Sequence, residues 1–166
     1  MEFAELIKKR RSIRKYKLEI PDMDLIKQCI EAACYAPSAH NSQAWKFIIV
    51  KNKEKIQQLG ETQKHSQFLK NAPMAIVVLG EEGLSSHFLE DCSCAIILLM
   101  LKASELGLGT CWNAVYGREE REEYVRKVLG LSEKYRVICN IGIGYPDEKP
   151  PEKKIKTFEE SADVVE

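Results

Sequence analysis

The sequence has no excess of charge of either sign, because 25 lysines and arginines are balanced by 25 aspartates and glutamates among 166 residues. A protein that binds nucleic acid over its whole surface carries a large basic excess, so this balance argues against that class. The hydrophobic content of 45% is too high for a disordered chain. Residues 1–166 are therefore predicted to form a single domain, and the near-zero net charge favours an oligomer.

Long apolar segments are missing too. The longest, residues 95–101, is far shorter than the roughly 20 residues of a membrane-spanning helix. The first ten residues, MEFAELIKKR, lack the apolar stretch that follows the basic start of a secretory leader. We therefore predict a cytoplasmic protein that does not bind membranes.

The spacing of a zinc site is also absent, since no two of the six cysteines form a CxxC pair. A cytosolic chain with a full core does not need disulfides. We therefore predict free thiols and no metal site. Cys92 and Cys94 are two residues apart in a helix-like stretch, so they are expected on different faces.

Motifs for side-chain catalysis are lacking: the sequence contains no GxSxG, no HExxH and no P-loop. The two GxG pairs, at residues 107–109 and 142–144, lack the third glycine of a dinucleotide-binding fingerprint. The sequence thus gives no sign of side-chain catalysis, and no separate Rossmann domain is predicted.

Periodicity and turn residues predict alternating helices and strands. Helices are expected at residues 2–11, from Asp22 to before Pro37, and at 53–60, 62–70, 84–106 and 118–129; strands are expected at 45–50, 73–79, 110–115 and 135–144. The start with two helices favours an α+β fold over a doubly wound sheet. The residues after Pro146 show little periodicity, as is typical of a segment that is either disordered or wrapped on another surface.

Individual elements carry further signals. Residues 73–79 are wholly apolar, which predicts a central strand. The helix at 84–106 is apolar around most of its circumference, so we expect it to be buried. In the helix at 118–129, Glu122–Arg126 and Glu123–Lys127 have the spacing of i,i+4 ion pairs.

Seven of the ten residues 8–17 are lysine or arginine. Four interpretations of these cations are open: a solvated face, a complement to a helix dipole, a contact with nucleic acid, or a phosphate-binding site. In the last interpretation Arg10, Arg11, Ser12 and Arg14 follow a helix end and converge two guanidinium groups and a hydroxyl on one phosphate.

A second polar cluster, residues 37–43 (PSAHNSQ), leads directly into the first predicted strand. Its amides and hydroxyls suit the polar edge of a flat heterocycle. The alternative is a capped turn in which Ser38 and Asn41 bond only their own backbone.

Taken together, these segments resemble the nitroreductase family of flavin mononucleotide (FMN) oxidoreductases in its short form. The matching segments are residues 10–16 (RRSIRKY), 36–45 (APSAHNSQAW), 106–112 (LGLGTCW) and 143–146 (IGYP), the last followed by a lysine-rich proline segment. The resemblance covers essentially the whole chain.

The resemblance implies an α+β, nitroreductase-like fold: a central, mostly antiparallel or mixed sheet flanked by helices in an intertwined homodimer. FMN would lie at the subunit interface, the helix at 84–106 would form the dimer core, and residues 146–166 would extend to the partner subunit. The implied activity is transfer of hydride from NADH or NADPH to nitroaromatics, quinones or similar acceptors by a ping-pong mechanism. Alternatives are dehalogenation, flavin fragmentation or azoline oxidation on the same scaffold, or a non-catalytic nucleic-acid-binding module.

The resemblance also implies roles for individual residues. The phosphate and ribityl end of FMN would be held by Arg10, Arg11, Ser12 and Arg14, with Lys153 and Lys154. The flavin ring would be contacted by Pro37, Ser38, Ala39 and Asn41 of the partner subunit, with Gln43 nearby. The N5 edge of the ring would face the backbone at Asn113, Ala114 and Val115, and His65 would be a further polar contact. Two positions depart from the family pattern: Ala44 replaces a usual proline, and Ile155 replaces a common arginine. At the second position, either Lys154 or Lys156 substitutes or the phosphate has one partner fewer.

Overall fold

A four-stranded antiparallel sheet forms the centre of the protein in the computed structural model, which describes residues 2–165. The strands are β1 (Trp45–Val50), β2 (Met74–Glu81), β3 (Gly109–Ala114) and β4 (Tyr135–Gly144), and their order across the sheet is β1-β2-β4-β3. β2 and β4 are buried along most of their length. The predicted strands, including a central apolar one, are confirmed with small shifts at their ends.

Helices cover both faces of this sheet. They are α1 (Phe3–Lys9), α2 (Met23–Cys34), α3 (Lys53–Leu59), α4 (Phe88–Glu105) and α5 (Glu119–Leu129), with 3-10 helices at Ala39–Asn41 and Lys64–Asn71. Asp22 caps α2 as predicted, because its carboxylate accepts a hydrogen bond from the Asp24 N–H at 2.9 Å. The α+β class is thus confirmed, although the segment predicted as a helix at 62–70 is a 3-10 helix.

Two helix ends differ from the prediction. α4 begins at Phe88 because the Leu84 N–H donates to the Glu81 carbonyl and the Ser85 hydroxyl accepts from the His87 N–H, which holds residues 84–87 in a turn. α1 ends at Lys9, before the expected residue 11, because Arg10 has an extended backbone. The chain therefore leaves α1 just where the predicted phosphate-binding residues begin.

The core has two layers, because alternate residues of β2 point to opposite faces of the sheet. Ile76 packs with α2 and α4, whereas Val77 packs with α3 and α5. α4 buries one side in the first layer, but Ile97 on its other side is 46% exposed. The expectation that α4 is buried therefore holds for one of its faces within a single chain.

All six cysteines are free thiols, with Cys92 buried and Cys94 exposed as their spacing predicts. Burial raises the pKa of the Cys92 thiol to about 12, so it is protonated at neutral pH. Within residues 2–165 no cluster of three or more histidine, cysteine or carboxylate side chains is placed to hold a metal ion. The same residues include no helix with the length and apolarity needed to cross a membrane.

Candidate functional site

The basic segment that follows α1 is fixed against the end of β3. The Ile13 N–H donates to the Thr110 carbonyl at 2.9 Å, and Ser12 forms a parallel bridge with Thr110. The side chain of Ile13 is buried beside Gly109, where an added Cβ would lie only 2.7 Å from it. Glycine at position 109 is therefore required for the segment to approach β3 this closely.

Tyr16 ties the end of the same segment to β4. Its buried hydroxyl donates to the Ile13 carbonyl at 2.5 Å and lies 3.1 Å from the Gly142 carbonyl. Burial raises the pKa of Tyr16 far above its ordinary value, so the phenol stays protonated and remains a donor. Arg14 lies between these two anchored residues, and its backbone position is set by both.

Replacing Tyr16 by phenylalanine is expected to lower the free energy of unfolding by about 1–2 kcal/mol, because a buried carbonyl loses its donor while the ring is kept. Urea unfolding measures this change. The matched control is Tyr35→Phe, since the Tyr35 side chain is 87% exposed and its change should stay within about 0.5 kcal/mol. Equal effects of the two substitutions would contradict the anchoring role of Tyr16.

A cavity of about 480 Å³ brings the predicted phosphate ligands together. Its lining includes the four predicted residues of the basic segment together with Glu148 and Lys153: Arg10, Arg11, Ser12, Arg14, Glu148 and Lys153. The C-terminal residues reach it because the Arg11 guanidinium donates to the Pro151 carbonyl. We call this the cationic cavity.

Glu148 was not predicted, and it holds the start of the C-terminal segment in place. Its carboxylate accepts from the backbone N–H groups of Arg14 and Lys15, at 2.5 and 3.1 Å. Lys154 is exposed and does not line the cationic cavity, and Ile155 is exposed as well. Of the two predicted lysines, the structure brings only Lys153 to the four residues of the basic segment.

A second cavity, of about 490 Å³, shares Arg14 with the first. Its lining is Arg14, Gln63, His65, Phe68, Cys111, Trp112, Asn113 and Ala114, and we call it the amide cavity. Asn113 is 4% exposed, and its side-chain oxygen has no hydrogen-bond partner among the described residues. Buried polar atoms are normally paired. The side-chain oxygen of Asn140, at the paired position of β4, is buried without a partner as well, so neither oxygen by itself marks a ligand site.

The residues predicted at the N5 edge of the flavin differ in whether they line the amide cavity. His65, Asn113 and Ala114 line it, whereas the Val115 side chain is fully buried in the core and its N–H donates to the Ile138 carbonyl. Gln63 was missed by the sequence analysis, although its amide donates to the Ala114 carbonyl at 3.2 Å. No local pattern distinguishes Gln63 from its polar neighbours.

Residues 37–43, which we call the amide loop, lie apart from both cavities, since no residue of the loop is in the lining of either. The Ser38 hydroxyl accepts from the Gln43 N–H at 3.1 Å, and the Gln43 amide donates to the Asn41 side-chain oxygen at 3.2 Å. Ser38 thus caps its own loop, as the alternative interpretation predicts, whereas Asn41 bonds a side chain and not its own backbone. Pro37, Ala39 and Asn41 likewise do not line the cavities that contain the arginines of the same chain.

Comparison with known proteins identifies the family to which this sequence belongs. The model of the nitroreductase family matches residues 7–66 and 58–145. The chain belongs to the nitroreductase family. A protein of Archaeoglobus fulgidus provisionally named NADH dehydrogenase/NAD(P)H nitroreductase is 41% identical over 154 residues, which cover 89% of this chain and 88% of the relative. The family and the nitroreductase-like fold predicted from the sequence are thus confirmed.

Solved structures and more distant relatives agree with this assignment. The FMN-dependent nitroreductase of Clostridium difficile R20291 superposes with a TM-score of 0.87 at 38% identity, with 92% of each chain covered. The iodotyrosine deiodinase of Thermotoga neapolitana is 26% identical over 172 residues, which cover 89% of this chain and 90% of the relative. Relatives of this chain are therefore named for two different reactions.

Proposed function

We propose that this nitroreductase family member binds FMN and uses it to transfer hydride from NADH or NADPH to a nitroaromatic, a quinone or a similar acceptor. The observation that carries the proposal is the pair of cavities that share Arg14, one lined by three arginines and a lysine and the other by the side-chain amides of Gln63 and Asn113. A phosphate on a flexible chain attached to a flat heterocycle matches this pair in shape and polarity. The FMN dependence of the Clostridium difficile relative supports the same ligand.

The residues of the cationic cavity fit a phosphate. Three arginines provide planar donor groups suited to phosphate oxygens, and Lys153 adds a fourth cation against the single carboxylate of Glu148. Because these cations are gathered around one pocket and the whole chain has no net charge, they suit one small phosphate better than a nucleic acid. This arrangement supports the absence of a nucleic-acid partner.

The residues of the amide cavity fit the ring. Side-chain amides of Gln63 and Asn113 supply both donors and acceptors, which the nitrogens and oxygens of a flavin ring require. Bound FMN supplies the hydride chemistry, while the protein contributes binding and orientation. We assign no catalytic side chain, and we infer that the nicotinamide donor and the acceptor occupy the space over the ring in turn, as a ping-pong scheme requires.

We further propose that the active form is a homodimer in which the amide loop of one subunit meets the cavities of the other. The separation of the loop from the cavities within one chain supports this arrangement. Exposed apolar side chains also need a cover: Phe3 and Ile7 on α1, Ile97 on α4, and Phe158 in the C-terminal segment. Exchange of residues 146–166 between subunits would bury part of this surface.

A cytoplasmic location is part of the proposal. Cys34 and Cys94 are exposed free thiols, which are typical of a reducing compartment.

Reductive dehalogenation is the second candidate function, because a relative named iodotyrosine deiodinase aligns with nearly the whole chain. It would use the same cavities and the same flavin, so only the acceptor distinguishes the two functions. Comparison of a quinone, a nitroaromatic and a halogenated tyrosine as oxidants of the reduced protein decides between them.

Purified protein is expected to be yellow and to carry about one FMN per chain, since each chain has one set of cavities. Denaturation should release the flavin, and stopped-flow absorbance should show its reduction by NADH or NADPH and its reoxidation by the acceptor. Apoprotein supplied with riboflavin is the control, because riboflavin lacks the phosphate that the cationic cavity would bind. Colourless protein that takes up no added FMN would refute the proposal.

A further inference from the structure

The amide loop has a backbone conformation that its side chains disfavour. The φ angles of His40, Asn41 and Gln43 are 52°, 53° and 48°, in the left-handed region that glycine normally occupies. Such strain persists only where surrounding contacts determine the conformation, and it is concentrated at functional sites. The loop therefore needs contacts from outside itself to keep this conformation.

The carboxylate of Asp91 holds both ends of the strained turn. One oxygen accepts from the Ala39 N–H at 3.0 Å, and the other accepts from the hydroxyls of Ser42 and Ser85, each at 3.1 Å. Asp91 is only 5% exposed and lies in the first turn of α4, where the helix dipole stabilises a negative charge. Ser85 belongs to the turn before α4, so the carboxylate joins the amide loop to the start of the long helix.

Burial of the Asp91 carboxylate is energetically unfavourable. None of the ion pairs found within residues 2–165 includes it. A buried carboxylate without a counter-ion is unfavourable unless hydrogen bonds stabilise its charge. An apolar residue would pack in α4 without this penalty. The contribution of the carboxylate is therefore to fix the conformation of the amide loop through its hydrogen bonds.

We propose that Asp91 is a positioning residue for the flavin: it fixes the loop that contacts the ring bound in the cavities of a second copy of the chain. This inference rests on the proposed function. Asp91 acts through Ala39 and Ser42 and does not itself touch the flavin.

The test uses the full-length protein and FMN titration of the apoprotein. Asp91→Ala removes all three hydrogen bonds and is expected to weaken FMN binding about tenfold or more. Asp91→Asn keeps an acceptor for the Ala39 N–H, so its loss should be smaller, about threefold. The matched control is Glu90→Ala, which removes an exposed carboxylate from the same first turn of α4 and should change the affinity by less than about twofold.

Rescue separates positioning from a general loss of stability. His40→Gly relieves strain at φ 52°, so in the Asp91→Ala background it should restore about threefold or more of the lost affinity. A residue that only stabilised α4 would show no such rescue. If Asp91→Ala does not fold, the same comparison is made with Asp91→Asn.

The outcomes are distinct. Wild-type protein that takes up no FMN overturns the proposed function together with this inference. Wild-type protein that binds FMN, with Asp91 variants of unchanged affinity or with a loss that His40→Gly does not reduce, overturns the role of Asp91 alone.

Discussion

Arg14→Ala is expected to weaken FMN binding by about 100-fold, because a charge-assisted hydrogen bond to phosphate contributes about 1.5–3 kcal/mol. Arg14 lines both the cationic and the amide cavity, so this residue lies where the phosphate chain and the ring would join. Arg10 lines the cationic cavity but not the amide cavity, and Arg10→Ala is expected to cause a smaller loss, of about tenfold. Quenching of flavin fluorescence on titration of the apoprotein measures both affinities.

Lys17→Ala is the matched control for these variants. It removes a cation from the same basic segment, yet Lys17 is exposed and lines neither cavity. Its FMN affinity should stay within about twofold of the wild type, because exposed charges are screened by salt. Wild-type affinity in both arginine variants would refute the phosphate assignment, and a loss equal to theirs in Lys17→Ala would reduce it to general electrostatic attraction.

The basic segment was predictable because its signal is local. Three arginines and a serine lie within five residues directly after a helix, so they are close to one another along the chain whatever the rest of the fold. The neutral total charge concealed this concentration of cations. Lys153 was predicted only through the resemblance, and a contact across 140 residues, from Arg11 to Pro151, brings it to the cavity.

Asp91 and Gln63 were not predictable from local pattern. An aspartate in the first turn of a helix fits the helix dipole wherever that helix lies, so its sequence gives no sign of a bond to Ala39. Gln63 lies in a polar stretch, and its place in the amide cavity depends on packing against β3. Likewise, the apolar period that extended α4 back to Leu84 was interrupted by hydrogen bonds of Ser85, which hydrophobic periodicity does not register.

Glu122 also has a partner that local spacing does not reveal, although it belongs to a predicted ion pair. The i,i+4 partner Arg126 lies 3.6 Å away, as the spacing indicates, whereas no ion pair joins Glu123 to Lys127 in the part of the chain that the structure describes. The stronger partner of Glu122 is Arg136 of β4, whose guanidinium donates to both carboxylate oxygens at 2.8 and 3.0 Å. Glu122 is therefore a buried link between α5 and β4 as well as a partner of Arg126 within α5.

Glu122→Gln is therefore expected to lower the free energy of unfolding by about 3 kcal/mol at neutral pH, because a bidentate pair with a buried carboxylate is broken. The same carboxylate accepts the Val137 N–H at 3.1 Å and the Gly117 N–H at 3.3 Å. An amide has one acceptor oxygen, so its NH₂ group would face donors. Urea unfolding measures the change, and Glu123→Gln, on an exposed neighbour in α5, is the control that should stay within about 0.5 kcal/mol.

The effect of Glu122 should also depend on pH in one direction. Burial opposes its ionisation, but hydrogen bonds from Arg136 and from the backbone at Val137 and Gly117 outweigh burial and hold the pKa of the carboxyl below its ordinary value. A lowered pKa in the folded state contributes stability that is fully present above the ordinary glutamate pKa of about 4.3 and is lost as the pH falls through the lowered value. The difference between wild type and Glu122→Gln should thus be constant from about pH 6 to 8 and shrink below about pH 4. A difference that grew on acidification would show that the carboxylate is not the stabilising form.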